Sequence, residues 1–210
     1  MSDTILKPKA SETQREILIV AADVFAAEGF RNTDVQVIAD RAGVGKGTVY
    51  RHFGNKEQLF LATAQYCMGR LEEHVTEQLE GYPTAEAYLE AHGAADVLRL
   101  IARACAQFYQ QNPLYLEILI QERVEFREAN DPLQVLMRKN TRAGLDKLME
   151  TAIKSGDLRK GKVKSASDAF GDLLYGSLVQ GSVDGDSQRL VQRVEQSVEL
   201  LLNGLLASPS

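Results

Sequence analysis

Residues 43–53 read GVGKGTVYRHF: a Gly-Val-Gly turn, then eight residues from Lys46 to Phe53 with the composition of a short helix. On such a helix Val49 and Phe53 stand four apart and share one face. Working back along the chain, Thr33 with Gln36 reads as a capping box that opens another short helix. That helix points Val35, Ile38 and Ala39 inward and stops at Gly43. Further upstream, Ser11 with Gln14 or Thr13 with Glu16 opens a longer helix that buries Ile17, Val20, Ala21, Val24 and Phe25 and ends at Gly29. Downstream, Gly54-Asn55 separates the 46–53 helix from a fourth one, capped by Asn55 with Gln58 and running to about Glu80. Two short helices joined by a glycine turn and braced by an earlier helix make a helix-turn-helix.

Apolar residues recur at three- and four-residue spacing almost throughout, with no run of alternating β-branched residues, so the chain reads as all-α. Beyond Gly81-Tyr82-Pro83, breaks fall near Gly93, at Asn112-Pro113, at Asn130-Asp131-Pro132, around Ser155-Gly156 and across Gly181 to Gly185. The organisation expected is a helix-turn-helix domain over 1–56, its first helices at about 12–53, and a larger helical domain over 57–210. With 44% hydrophobic and 25% charged residues the 210-residue chain is ordinary globular material. Its longest apolar stretches are far short of the ~20 residues a bilayer span needs. The first residues lack a secretory h-region, so the expected location is the cytoplasm. Cys67 and Cys105 have no ligand or redox spacing and read as buried small hydrophobes.

A net charge of −5 argues against nucleic acid until its distribution is considered. Residues 31–56 carry five basic side chains (Arg31, Arg41, Lys46, Arg51, Lys56) against Asp34 and Asp40, so the acid lies elsewhere. With Val49 and Phe53 turned inward, the 46–53 helix presents Lys46, Gly47, Thr48, Tyr50, Arg51 and His52, a surface of donors, one aromatic ring and positive charge suited to phosphates and base edges. Lys56 in the first turn of a helix opposes the macrodipole by ~0.3–1 kcal/mol. A phosphate bound there would compensate, and the amides behind Thr33 would clamp another. Gln36 serves equally as a base contact or as its own capping partner, while Arg31 and Arg41 read as solvated or paired with Asp34 and Asp40.

Residues 12–60, about a quarter of the chain, resemble the N-terminal domain of the tetracycline-repressor (TetR) family, the matching string being AADVFAAEGFRNTDVQVIADRAGVGKGTVYRHFGNKEQLF at 21–60. The resemblance implies a dimeric all-helical regulator, usually a repressor, whose C-terminal domain binds a small effector and releases double-stranded DNA. It places Thr33, Lys46, Thr48, Tyr50 and Lys56 at phosphate-contacting positions and Gln36, Gly47, Arg51 and His52 close to base edges. One departure is Gly45, where family members often carry Ser; as an N-cap, Gly costs only a few tenths of a kcal/mol.

The remaining chain has no role in reading a groove and is expected to supply dimerisation and sensing. Two regular apolar stripes stand near the C-terminus: Ala166, Ala169, Phe170, Leu173, Leu174 and Leu178, then Leu190, Val194, Val198, Leu201 and Leu205. Paired across a two-fold axis they would make a four-helix bundle, with Phe170, Leu173, Leu174, Leu178, Leu190, Val194, Val198 and Leu201 at the dimer interface. Such a homodimer fits a pseudo-palindromic operator.

Tyr66, Cys105, Phe108, Tyr109, Tyr115, Ile118, Phe126, Met137 and Tyr175, with Gln121 and Glu122 as polar groups, form the expected effector site. Met68, Leu119 and Arg123 belong to the same stretch. Any one of these is equally at home in a core. A largely apolar effector would then shift the fourth helix and change the separation of the heads, with a coupling of about 1–3 kcal/mol.

Two other readings stay open: a DNA-binding regulator answering to a protein, and a nucleotide-dependent enzyme. GVGKGT looks like part of a phosphate-binding loop, but that loop needs Gly where Asp40 stands and Ser or Thr where Gly47 stands. Glu72, Glu73 and His74 are adjacent and diverge on a helix, so no metal or cofactor is expected. No HExxH, GxSxG or Cys/His signature supports catalysis.

Overall fold

The computed structural model describes residues 11–79, 81–126, 132–159, 161–185 and 189–205, with the side chains of residues 85, 132–141 and 205 left out. Among the described residues ten helices follow one another: α1 (Glu12–Glu28), α2 (Val35–Arg41), α3 (Lys46–Phe53), α4 (Lys56–Glu77), α5 (Ala85–His92), α6 (Ala94–Gln111), α7 (Pro113–Glu125), α8 (Pro132–Ser155), α9 (Val163–Val183) and α10 (Leu190–Leu205). The all-α class and the helix-turn-helix are as the sequence predicts.

Local chemistry sets the ends of the first four. Ser11 and Gln14 close a reciprocal capping box on α1, and Gly29 ends that helix at φ 78°, where a side chain would be strained. Asn55 caps α4 through the Gln58 amide. The cap of α2 is Asp34 and not Thr33: the Asp34 carboxylate accepts the Gln36 amide at 2.8 Å, while the buried Thr33 hydroxyl donates to the Gly29 carbonyl.

The head core joins Ile17, Val24, Phe25, Val35, Ile38 and Val49 to Leu59, Phe60, Ala64 and Cys67 of α4. A boundary at residue 56 therefore cuts the head short, because the first three turns of α4 belong to its core. α7 belongs there as well. Its Ile118 is fully buried in the same cluster, and Phe126 stacks on Phe60 at 5.2 Å and meets Phe30 edge-on at 4.9 Å. Gln121 of α7 binds the head twice, donating from Nε2 to the Phe25 carbonyl (2.9 Å) and accepting the Phe30 amide on Oε1 (3.0 Å). Arg31 pairs with Glu125 at 2.8 Å and not with Asp34.

The second core lies among α5 to α10. Leu190, Val194, Val198 and Leu202 of α10 pack with Phe170 and Leu178 of α9 and Val97 and Leu98 of α6, all buried within the single chain. This corrects the expected dimer stripe. Phe170, Leu178, Leu190, Val194 and Val198 are already spent inside the chain, and Leu173, Leu174 and Leu201 pack half-buried against the same core. Ion pairs Arg99–Glu199 (2.6 Å) and Arg103–Glu195 (2.5 Å) seal the α6–α10 seam. The expected break across Gly181 to Gly185 begins later, since α9 runs to Val183. Gly181 sits inside the helix because a Cβ there would lie 2.7 Å from Leu190 Cδ1. The break predicted at Asn130-Asp131-Pro132 falls between α7 and α8, its first two residues outside the described ones.

Replacing Gln121 by Ala removes both hydrogen bonds to the end of α1 and leaves the Phe30 amide to find water, while the Phe25 carbonyl keeps the Gly29 amide. The expected loss is about 1–3 kcal/mol in urea denaturation, at ordinary costs per hydrogen bond. Unchanged stability in Gln121→Ala would show that the clamp contributes nothing.

Candidate nucleic-acid interface and effector cavity

α3 is held by Val49, fully buried, and by Phe53, half-buried on the head core. Its opposite face presents Gly47, Tyr50 and Arg51 to solvent, with Tyr50 38% exposed despite its size; Lys46, Thr48 and His52 flank them, half-buried. Gly45 at the N-cap offers no side-chain hydrogen bond, so the amino end of α3 is left uncapped by the chain. Gly47 costs roughly 1 kcal/mol against Ala in a helix interior. Beyond its neighbours and the backbone of its own helix, no atom of the described residues lies within 4 Å of where its Cβ would be. The chain itself therefore does not require glycine there, and the cleared surface suits a body approaching from outside.

Beside α3, Gln36 is exposed on α2, its amide donating to Asp40 at 2.7 Å. Asp34 ties the two helices together, accepting Lys46 Nζ at 3.0 Å while capping α2. The Gln36 amide first, and Lys46 second, hold the Asp34 carboxyl below its ordinary pKa, and Asp34 raises that of Lys46.

Two of the nine sequence-predicted DNA residues take other roles. Thr33 is 3% exposed with its hydroxyl committed to Gly29. Lys56 Nζ donates to the carbonyls of Arg31 (3.0 Å) and Thr33 (3.1 Å) and stands 5.0 Å from the Phe30 ring centroid. The anion that its position at the start of α4 called for is thus supplied by carbonyl dipoles and a ring face within the chain. The remaining seven, Gln36, Lys46, Gly47, Thr48, Tyr50, Arg51 and His52, lie on α2 and α3.

In the second core a cavity of about 510 Å³ opens between α4, α5, α6, α7, α8 and α9. Aliphatic and aromatic side chains, among them Met68, Leu71, Leu89, Ile101, Leu148, Phe170 and Leu178, form most of its wall. Of the expected effector residues it contains Cys105, Tyr109 and Tyr175; Leu119 and Arg123 join them. The others lie elsewhere. Ile118, Gln121 and Phe126 serve the head, and Tyr66, Phe108 and Tyr115 border a separate cleft beside α1 that also holds Arg15, Arg70 and Glu77. Glu122 is buried beside a small recess next to the main cavity, and the Met137 side chain falls outside the described residues. Burial pushes both thiols, Cys67 and Cys105, up to about 12, so neither is a reactive thiolate. Among the described residues no group of three His, Cys, Asp or Glu could hold a metal ion, and no helix is long and apolar enough to cross a membrane.

A helix-turn-helix with an open, donor-rich second helix, set on a larger helical body with an apolar cavity, defines a class of DNA-binding transcriptional regulators. Residues 17–63 match the family described as bacterial regulatory proteins, tetR family. The chain is 33% identical over 87 residues to the HTH-type transcriptional regulator YerO of Bacillus subtilis, a stretch covering 40% of this chain and 30% of YerO. It is 23% identical over 194 residues to the fatty acid metabolism regulator protein of Bacillus subtilis, covering 90% and 94% of the two chains. The crystal structure of Bacillus subtilis FadR in complex with stearoyl-CoA shares the fold, with TM-score 0.74 and 24% identity over 90% of this chain and 98% of that one.

Lys56→Met keeps the side-chain stem and deletes the ammonium. Its expected effect is a loss of roughly 1.5–3 kcal/mol in head stability, the range for a charged hydrogen-bonding group. The salt dependence of DNA binding should stay unchanged. A salt slope lower by about one unit with stability intact would return Lys56 to the phosphate contacts.

Proposed function

We propose that the protein is an operator-binding repressor that works as a homodimer and is released from DNA by a small, largely apolar effector held in the 510 Å³ cavity. The observation that carries the DNA reading is the exposed Gly47-Tyr50-Arg51 face of α3, uncluttered by the rest of the chain. Set into a major groove, that face places Arg51 and His52 toward base edges, with Gln36 reaching from α2; Lys46, Thr48 and Tyr50 stand at its edge as phosphate contacts. Arg and Gln both have the paired donors or acceptors that base edges require.

With the inner stripe of α9 and α10 consumed by the core, the pairing face is their outer side. Ala169, Gly176 and Val183 of α9 and Leu200 and Gly204 of α10 are exposed there, Val183 by 72% and Leu200 by 76%. Small residues let helices approach closely, and exposed large apolar ones mark a surface meant to be covered. Two heads fixed by such a dimer address two half-sites about one DNA turn, or a multiple of it, apart.

The cavity and the head share two helices. α4 contributes Met68 and Leu71 to the cavity and its first turns to the head; α7 contributes Leu119 and Arg123 to the cavity and Ile118, Gln121, Glu125 and Phe126 to the head. An effector that fits the cavity better in one head arrangement than in the other shifts the population by that difference. The similarity to a fatty acid metabolism regulator protein and to a structure solved in complex with stearoyl-CoA supports an effector with a long apolar part.

The test is a gel-shift titration with the DNA upstream of the protein's own gene. Wild type is expected to retard it as a dimer. Arg51→Ala should lower affinity for the preferred site by about 1–3 kcal/mol and flatten its preference over unrelated DNA. Equal binding of all sequences by the wild type, or unaltered discrimination in Arg51→Ala, would overturn the assignment.

A further inference from the structure

The cavity is not uniformly apolar, and its polar groups are unequally satisfied. Glu86 and Lys147 line it but bind each other at 2.8 Å, and this pairing lowers the Glu86 pKa. Arg123 differs. Its guanidinium rests on the Tyr175 ring, 3.8 Å from the centroid, and meets no carboxylate among the described residues. Tyr109 is 95% buried by its 5% exposure, lines the same cavity, and its hydroxyl makes no hydrogen bond among the described residues. Tyr109 on α6 and Arg123 on α7 line the same cavity from adjoining helices. The nearby Glu122 carboxylate borders the adjoining recess, not this cavity, and is already engaged.

A cation stacked on a ring and a buried phenol on the same wall offer hydrogen-bond donors and positive charge suited to an anionic group. A guanidinium presents a planar fork of N–H groups that matches a carboxylate or phosphate, and a tyrosine O–H adds one more donor. The rest of the wall, with Leu71, Leu89, Leu148, Phe170 and Leu178, accepts only an apolar body. Resting on the proposed effector role of the cavity, we infer that the effector is an amphiphilic organic anion. Its head group is held by Arg123 and Tyr109, and its apolar body lies among those side chains. Arg123 and Tyr109 are the specificity-determining residues. Arg123 also stands two residues from Gln121, so a head group that draws Arg123 off Tyr175 pulls on the helix that grips the end of α1.

The test is calorimetric titration of the full-length protein with three ten-carbon probes: decanoate, decyl phosphate and decan-1-ol. At least one anion should bind the wild type about tenfold or more tightly than the alcohol, the gain of a charge-assisted contact. The preferred anion identifies the head group as carboxylate or phosphate. Arg123→Ala should abolish that preference without altering decanol binding. Arg123→Lys should restore part of it, and Tyr109→Phe, nearly isosteric, should give a smaller loss for the anions alone. Equal binding of anions and alcohol, or an intact preference in Arg123→Ala, overturns the anion assignment while leaving the cavity as an effector site. Binding of none of the three removes the effector site itself.

Discussion

The contact on which the rest of the molecule depends is the double hydrogen bond from Gln121 to the backbone at the end of α1. Helix termini leave backbone groups short of partners, and in the turn after Gly29 the Phe30 amide finds its partner on Gln121. One amide side chain adds a second donor to the Phe25 carbonyl and accepts the Phe30 amide, fixing the six residues from Phe25 to Phe30 against α7. Around it, Ile118 on α7 and Phe126 just after its end exclude water, and the Arg31–Glu125 pair closes the rim. The pair is largely solvated on the arginine side, so most of the binding comes from the buried rings and the amide clamp.

This arrangement makes the head a rigid extension of the body and not a bead on a linker. The consequence appears at α3, which is anchored by little of its own: eight residues, one fully buried side chain, no side-chain cap, and a glycine at its second position. Alone in water a helix of that length would be marginal. Its stability comes from the packing of Val49 and Phe53 on a core that α1, α4 and α7 have already assembled. The open face can therefore be chosen for what it meets outside the chain, and the Gly45 and Gly47 costs are borne by the scaffold.

What the sequence made legible follows from the range of the interactions. α3 was bounded correctly because its punctuation is local: Gly43 at φ 67° and Gly54 at φ 85° sit where only glycine is comfortable, and Val49 and Phe53 mark the inner face. Thr33 was misread because both it and Asp34 satisfy a capping rule, and the choice depended on the Gly29 carbonyl offered by the preceding turn. Gln121 looked like a polar group for a ligand because its partners lie 91 and 96 residues away. The stripes on α9 and α10 were read correctly as apolar, but periodicity does not say whose core a stripe enters; here α6 takes it. The cavity was half legible for a related reason. Tyr109 and Tyr175 stand out by type, whereas Leu71, Leu89 and Leu148 are ordinary core residues until the helices leave a gap between them.

A regulator of this design needs its two functions joined firmly enough to communicate, yet not so firmly that an effector cannot alter the joint. Couplings between sites run at about 1–3 kcal/mol. A clamp of two neutral hydrogen bonds and a solvated ion pair is of that size, whereas the stacked phenylalanines beneath it, with Phe25 and Phe60 fully buried, are far more costly to separate. The physically accessible motion is therefore a small slide of α7 that exchanges polar contacts at Gln121 and Glu125 while keeping Phe126 against Phe60. α4 cannot tilt independently of that slide, because its first turns share the same aromatic cluster. If the cavity holds the proposed effector, its signal reaches the head through both helices together, since α4 and α7 share the cluster of phenylalanines.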